Sequence, residues 1–472
     1  MIRFIALLLC STSLLSAQKM FPADAAQEAA EEIYLEIKER HPYPATIAGL
    51  RALDSARTQV QKQLAARVNG HDSIAYHEFV GLVSPLQEAT NCGHLILGPY
   101  LDSVANREIR ENNFPLYLIQ IETGEYVLHS GISTATDSLS PGTVVTALNG
   151  ENIKTVIGQI APFSGINDDK NDEALLYKVA RAPMFLYQTY YGIQDSIIIT
   201  IRNETGPENR TVFPKMVPYT DPKKSKTPIA KTLDFKFSED GETGILKIKK
   251  FSSYKFTDGN YYRFIRQVFD TLKTTGTDQL IIDIRDNGGG NSGRINHLYQ
   301  FLTDKKFYFT AEARMTGPAR AQANDDAKTI RRLEAGAVSR RDRRLQRRLT
   351  KPLKPVKKKL RYDGKVVVLI NPVSFSASGI FARMVQGSGR GKLVGDVSGA
   401  SAAIMYGASK QGDPILIGPS DDFELKVNTI GLIPQYPASG NITPDYIVKP
   451  TLAGIKAGKD EQMEKAMEIV KQ

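Results

Sequence analysis

The feature that most constrains the fold is a junction between an apolar strand and a helix, with three serines in the turn. Residues 365–370 form a β-type run, and a helical pattern starts near Phe381. Between them lie Ser374, Ser376 and Ser378. A serine at such a junction projects its hydroxyl beside the first free N–H groups of the helix. The junction therefore predicts either a nucleophile next to an anion site or serines that cap the helix.

A glycine loop follows an earlier strand of the same kind. The apolar run 278–285 leads into the glycine loop, residues 286–291, and a helical pattern continues to Phe301. Glycines let the backbone approach a ligand closely. Strands that alternate with helices predict an α/β core. We expect this core to span residues 239–472.

The first residues have the pattern of a secretory signal. A charged start and a short apolar run lead to small residues that end at Ala17. We expect residues 1–17 to be removed and the protein to be secreted or periplasmic. The apolar run is too short to span a bilayer, and no later run of about 20 apolar residues predicts a transmembrane segment.

Three regions separate the signal from the core. Residues 18–112 form an N-terminal helical region that carries His94 at a loop-to-strand junction. Residues 113–206 are the β-rich module, whose strands and Asn-Gly turn resemble a PDZ-like domain. Residues 207–238 are rich in proline and lysine, a composition that predicts a linker.

Positive charge is concentrated in one segment. Residues 314–361, the basic segment, hold 17 Lys/Arg and 4 Asp/Glu, a net charge of +13 in a chain whose total is +10. A solvated helical insertion explains this composition, and so does a lid over a cleft or a patch for anionic lipids or envelope polymers. Residues 311–360 contain no aromatic side chain, so no specific nucleic acid binding is expected.

Cysteine content limits the kinds of site. Cys92 is the one cysteine that remains after the signal is removed. No intrachain disulfide can form, and no Cys/His cluster predicts a structural zinc site. We expect neither a metal nor a cofactor.

Four segments in order resemble the signatures of the C-terminal processing (tail-specific) peptidases. They are residues 280–291, 374–382, 392–401 and, as one closing segment, 440–451 with 458–470. The resemblance implies a crotonase-like spiral α/β core and a serine peptidase that cleaves proteins or peptides. It also places Ser376 at the nucleophile, with the N–H groups of Gly289 and Ala377 at the oxyanion hole.

The general base departs from the main branch of this family. The position of the family lysine is Ser401 here, and Lys392 and Lys410 lie elsewhere. A second branch, similar to the tricorn core, uses a histidine ahead of the core, and His94 occupies that place. An unperturbed histidine, with a pKa near 6.5, suits this role. His297, which follows the glycine loop, is the rival base.

The positions that support the histidine in that branch are also changed. Gly93 and Ala438 replace its serine and glutamate, and Gly379 replaces a further glutamate. No third triad member is identified from the sequence. Two hypotheses follow: a serine endopeptidase with a Ser376 acyl-enzyme and His94 as base, or a catalytically impaired member that binds peptides or apolar ligands.

Overall fold

The structure is a computed structural model. It describes residues 20–42, 47–99, 109, 111–164, 168–216, 232–251, 258–315, 340–407, 415–417, 423–428 and 430–472. The expected signal peptide, residues 1–17, lies outside these ranges. Within the described ranges, no helix combines the length and the apolar character needed to cross a membrane.

The described helices and strands alternate along most of the chain. The helices are α1 (Ala23–Arg40), α2 (Ile47–Val68), α3 (Tyr76–Glu88), α4 (Ile153–Ile160), α5 (Asp172–Ala180), α6 (Pro183–Tyr191), α7 (Asp258–Thr275), α8 (Ser292–Leu302), α9 (Arg340–Leu349), α10 (Ala377–Gly387), α11 (Leu452–Lys456) and α12 (Glu461–Lys471). The strands are β1 (Met20–Pro22), β2 (Ser73–Ala75), β3 (Ile96–Pro99), β4 (Asn112–Asn113), β5 (Leu118–Gln120), β6 (Tyr126–Leu128), β7 (Ile132–Ser133), β8 (Ser138–Leu139), β9 (Val145–Leu148), β10 (Glu151–Asn152), β11 (Ile197–Asn203), β12 (Gly206–Val212), β13 (Lys215–Met216), β14 (Leu233–Phe237), β15 (Thr243–Ile248), β16 (Gln279–Asp283), β17 (Glu312–Met315), β18 (Lys365–Ile370), β19 (Lys392–Gly395), β20 (Met405–Gly407), β21 (Ile415–Ile417), β22 (Phe423–Lys426), β23 (Ile430–Ile433) and β24 (Tyr446–Ile447).

A six-stranded sheet forms the predicted α/β core. Its order is β14-β15-β16-β18-β19-β24, and every pair except β14–β15 is parallel. Helices α7, α8 and α10 cover one face and α12 covers the other. Because both faces are covered, β18 is buried at every residue except the first, as parallel strands require. The neighbouring strands β16 and β18 end at the glycine loop and at the serines, so both loops lie at one edge of the sheet.

The N-terminal helices join the core through a three-stranded antiparallel sheet, β21-β22-β3. Helices α1, α2 and α3 share an apolar core with Leu425 of β22. Strand β3, just after His94, pairs antiparallel with β22 from the C-terminal half of the chain. This pairing places the loop of His94 next to the core domain.

The β-rich module has a separate apolar core. The sheet β10-β9-β11-β12 packs with helices α4, α5 and α6. The strand content agrees with the sequence prediction, and the PDZ-like assignment stays a prediction.

The structure corrects the predicted linker at both ends. Strand β12 continues the hairpin with β11 over seven paired residues, and β14 joins the core sheet. Pro207 lies in β12 at the sheet edge, where proline is tolerated, so proline content concealed a strand. Residues 217–231 lie outside the described ranges.

The basic segment is described only in part. Within the region predicted as helix, α9 lies against β17, and residues 316–339 fall outside the described ranges. The side chains of Arg343, Arg344, Arg347 and Arg348 on α9 are exposed.

Candidate active site

Ser376 is held in an unusual backbone conformation at the junction of β18 and α10. Its φ is 56° and its ψ is −123°, and its side chain caps no helix N–H. An L-residue in this region carries about 1–3 kcal/mol of strain, and such strain is concentrated at functional sites. The geometry is that of a nucleophile at a sharp strand-to-helix turn. Ser376 is also partly exposed.

The other two serines of the turn are buried. The Ser374 hydroxyl donates to the carbonyl oxygen of Ile284 at 2.8 Å and accepts from the N–H of Asn371 at 3.0 Å. Ser378 is fully buried, and its hydroxyl has no partner among the described residues. Of the three, Ser376 alone combines exposure with the strained turn.

The glycine loop lies directly against Ser376. A Cβ at Gly289 would come within 2.7 Å of the Ser376 Cβ and 2.8 Å of the Ala377 nitrogen. The N–H of Ala377 has no backbone partner among the described residues, as expected for a first helical residue. The N–H of Gly289 donates to the Asn287 side-chain oxygen at 3.0 Å. One of the two predicted oxyanion donors is therefore unengaged and the other has a local partner.

His94 lies next to the nucleophile turn. Its ring stacks on Phe375, with ring centroids 4.4 Å apart and planes inclined by 29°. Phe375 directly precedes Ser376 and donates its N–H to the Asn287 carbonyl oxygen at 3.1 Å. Neither ring nitrogen of His94 has a hydrogen-bond partner within the described part of the chain. The structure thus brings the predicted base to the residue beside the predicted nucleophile.

Asp168 is a buried carboxylate that sequence reasoning missed. It lies 3.9 Å from His94 Nδ1 and is completely inaccessible to solvent. Its two oxygens accept the N–H of Gly93 at 2.8 Å and the N–H of Ser401 at 3.3 Å. Four acidic residues occur between positions 168 and 173, so nothing local distinguishes Asp168 from its neighbours.

One group of potential metal ligands occurs among the described residues. Cys92, His94 and Asp168 bring one ligand atom each within 4.8 Å of one another. A thiol must lose its proton to bind a metal, and burial, with the nearby Asp168 as the second cause, raises the pKa of the Cys92 thiol well above its usual range. The carboxylate is also engaged by two backbone N–H groups.

Ser401, at the position of the family lysine, has a structural role. Its hydroxyl accepts the N–H groups of Ala403 at 3.0 Å and Ile404 at 3.2 Å. Lys392 lies 3.4 Å from the Asp445 carboxylate, and Lys410 lies outside the described ranges. Ser401 offers no amine to act as a base.

The two positions where the family carries glutamate differ here: Gly379 is buried and Ala438 is exposed. A Cβ at Gly379 would meet the Ala400 Cβ at 2.5 Å, so a glutamate has no room. The Ala438 N–H donates to the Ala402 carbonyl oxygen at 3.0 Å. The support for His94 therefore comes from elsewhere in the chain.

His297, the rival base, lies in an aromatic setting on α8. Its ring contacts Tyr262 at 4.7 Å and Phe301 at 5.3 Å between centroids. Its Nε2 lies 3.3 Å from the Tyr262 carbonyl oxygen, and burial lowers the pKa of His297. These contacts explain the position of His297 on α8 by packing alone.

A polar network connects the β-rich module to the glycine loop and to the serine turn. Arg181 of α5's C-terminal end forms an ion pair with Asp286 of the glycine loop. The Asn371 amide donates to Asp286 at 2.7 Å, and its oxygen accepts the N–H groups of Asp286 at 3.0 Å and Val373 at 3.1 Å. Asn371 thus ties the start of the serine turn to the glycine loop.

Comparison with known proteins identifies the core. The sequence model of Peptidase family S41 matches residues 242–413. No curated protein matches the chain. Mature CPAF has a TM-score of 0.63 at 14% identity, over 95% of this chain and 97% of that chain. CPAF complexed with lactacystin has a TM-score of 0.62 at 14% identity, over 95% and 98%.

A further solved structure is less similar. The photosystem II D1 C-terminal processing protease has a TM-score of 0.44 at 13% identity, over 92% of this chain and 98% of that chain. The CPAF structures show that the fold is shared, and the family match covers both the glycine loop and the strained serine. Residues 242–413, which carry the glycine loop and the strained serine, therefore form a serine-type peptidase domain that matches Peptidase family S41.

Proposed function

We propose that the protein is a serine endopeptidase in which Ser376 is the nucleophile and His94 the general base. The observation that carries the proposal is the stack of His94 on Phe375, beside a serine held at φ 56°. The turn thus holds a partly exposed serine near an imidazole whose nitrogens have no hydrogen-bond partner in the described chain. Acyl transfer needs His94 to come within hydrogen-bond reach of Ser376, and such contacts often close only when substrate binds.

The reaction runs through an acyl-enzyme. The Ser376 oxygen bonds to the scissile carbonyl carbon while its proton passes to His94, and the carbonyl electron pair moves onto the oxygen. His94 then gives the proton to the leaving amine as the C–N bond breaks. Water, activated by His94, releases the acyl group and restores the serine.

The oxyanion is stabilised at the start of α10. The Ala377 N–H has no backbone partner in the described chain, and the positive end of the helix favours negative charge. Gly289 contributes if its N–H is shared between the Asn287 side chain and the substrate. Loss of one such donor typically lowers kcat by about 10²–10³-fold.

The β-rich module supplies the surface for a protein or peptide substrate. Strand β12 is an edge strand of its sheet, and an edge strand can pair with an extended peptide. The signal-like residues 1–17 support action in the periplasm or outside the cell.

The basic segment provides a second surface. Four exposed arginines on α9 fit an anionic lipid or envelope polymer through charge. Binding of this kind weakens steeply with salt. It should survive Ser376→Ala and disappear when the four arginines become glutamine.

The activity is tested with an unfolded protein substrate in H₂¹⁸O. Wild-type protein should produce internal fragments whose new C-termini carry one ¹⁸O, because water opens the acyl-enzyme. Ser376→Ala should produce none. Ser378→Ala is the matched control, since its buried hydroxyl has no described partner, and it should cleave at the wild-type rate.

Cleavage that persists in Ser376→Ala would contradict the proposal. Absence of cleavage by the wild-type protein, together with retained peptide binding, would favour the hypothesis of a catalytically impaired binding protein.

A further inference from the structure

The Asp168 carboxylate is completely buried, and no lysine or arginine of the described residues pairs with it. Among the described residues its one ion-pair contact is His94, at 3.9 Å from Nδ1. Removing a carboxylate from water without a partner costs several kcal/mol. Its two accepted backbone hydrogen bonds offset part of this penalty. A buried acid beside an otherwise unpartnered imidazole therefore calls for a specific reason.

The loop that carries Asp168 is fixed from three sides. The Asp168 oxygens bind the N–H groups of Gly93 and Ser401, and its carbonyl oxygen accepts from the Asn441 amide at 3.0 Å. The next residue, Asp169, adopts φ 57° and accepts from the Asn91 amide at 2.9 Å. These bonds join the β-rich module, the N-terminal helical region and the core at one carboxylate.

The ring of His94 is held by two different contacts. Phe375 lies against its face and Asp168 lies on its Nδ1 side. With Nδ1 facing the carboxylate, Nε2 is the nitrogen that remains for the serine. The separation of 3.9 Å exceeds a hydrogen bond, and catalytic hydrogen bonds in substrate-free enzymes often close only when substrate binds.

We propose that Asp168 is the positioning residue of His94, supplied by the β-rich module. Its carboxylate accepts a hydrogen bond from Nδ1–H, which selects the tautomer whose Nε2 can take the Ser376 proton. When that proton arrives, the carboxylate stabilises the imidazolium without taking a proton. The inference rests on the proposed function, and it explains how a chain with Gly93 and Ala438 at the supporting positions can still hold its base.

The test compares Asp168→Asn with Asp169→Asn. Asparagine keeps the size of Asp168 and one acceptor oxygen but removes the charge. We expect phosphonylation of Ser376 by a fluorophosphonate at saturating concentration to slow by about 10²–10⁴-fold in Asp168→Asn, with little change in the half-saturating probe concentration. Asp169→Asn, in the same loop, should be labelled at the wild-type rate.

A second readout separates positioning from stability. The ring ¹⁵N signals of His94, assigned with His94→Gln, should show Nδ1 protonated and Nε2 free in the wild-type protein. Asp168→Asn should change this tautomer distribution. Asp168→Glu should recover part of the rate of labelling by the fluorophosphonate if its carboxylate reaches Nδ1.

Two results would overturn the inference. One is a wild-type His94 with its proton on Nε2, a measurement that needs no variant to fold. The other is a folded Asp168→Asn protein that the fluorophosphonate labels at the wild-type rate. If Ser376→Ala is labelled as fast as the wild type, the proposed function itself fails, while the tautomer still decides whether Asp168 holds His94.

Discussion

The two halves of the site differ in how far apart along the chain their residues lie. The serine half, residues 286–291 and 371–377, comes from the ends of two adjacent parallel strands. The histidine half, His94 with Asp168, depends on a loop of the N-terminal region, a loop of the β-rich module and the Ser401 turn. A nucleophile can therefore be located from a local pattern, whereas the groups that activate it depend on how separate regions pack.

The largest effect is expected from loss of the base. His94→Gln should lower kcat for peptide cleavage by at least about 10⁴-fold, because base and nucleophile act as a unit. His297→Gln is the matched control, since its ring contacts Tyr262 and Phe301, and it should change kcat little. Equal losses in both variants, measured on folded protein, would remove the basis for choosing His94.

The glycine loop provides a comparison within the serine half. Gly289→Ala places a Cβ within 2.7 Å of Ser376 at φ 100°, whereas Gly288→Ala meets no atom within 4 Å. We expect Gly289→Ala to lower kcat/KM by about 10²–10³-fold and to reduce stability. Gly288→Ala should retain both. Steady-state kinetics and thermal unfolding of the two variants measure the difference. A fully active Gly289→Ala enzyme would show that the glycine loop does not contribute to the oxyanion hole.

A substitution at Gly379 tests whether close packing is the reason that the family glutamate is missing at this position. Gly379→Ala introduces a contact of 2.5 Å with the Ala400 side chain, so we expect a loss of about 1–3 kcal/mol in the free energy of unfolding. The kcat per folded molecule should stay within a few-fold of the wild type. Denaturant unfolding alongside kinetics checks this. A stable variant with no activity would instead assign Gly379 a catalytic role.

His41 gives the histidine half a dependence on pH. Burial, followed by the neighbouring His94, lowers the pKa of His41 to about 3. The unfolded chain binds this proton near pH 6.5 and the folded chain does not, so stability falls as pH decreases from 6.5 towards 3. The contribution is roughly 2 kcal/mol at pH 5.

The variant His41→Phe should flatten this dependence. Its free energy of unfolding should change less than that of the wild type between pH 7 and pH 5, although loss of the contact with Tyr406 alters the absolute value. Parallel curves for the two proteins would show that His41 titrates normally in the folded state.

Prediction from sequence succeeded where the signal was local. The run 365–370, the strained serine and α10 are adjacent in sequence, so apolar periodicity and turn chemistry suffice to locate them. The strand after His94 was also placed correctly, because a loop followed by a short apolar run is a local pattern. The match to family S41 confirms the core that these segments predicted.

Prediction failed where contacts between distant segments decide the outcome. Asp168 resembles three neighbouring acids in sequence, and its bonds to Gly93 and Ser401 distinguish it only in the folded chain. The ends of the predicted linker contain β12 and β14, which proline and lysine content concealed. An edge strand tolerates such residues because one side lacks a hydrogen-bonded neighbour.

The most direct test of the account is the site and rate of labelling by a fluorophosphonate, followed by peptide mapping. In the wild-type protein, the Ser376 oxygen should displace fluoride and carry the phosphonyl group, with its proton taken by His94. The account predicts one adduct on Ser376 in the wild type and a rate at least about 10³-fold lower in His94→Gln. An adduct on another residue, or equal rates in the two proteins, would contradict it.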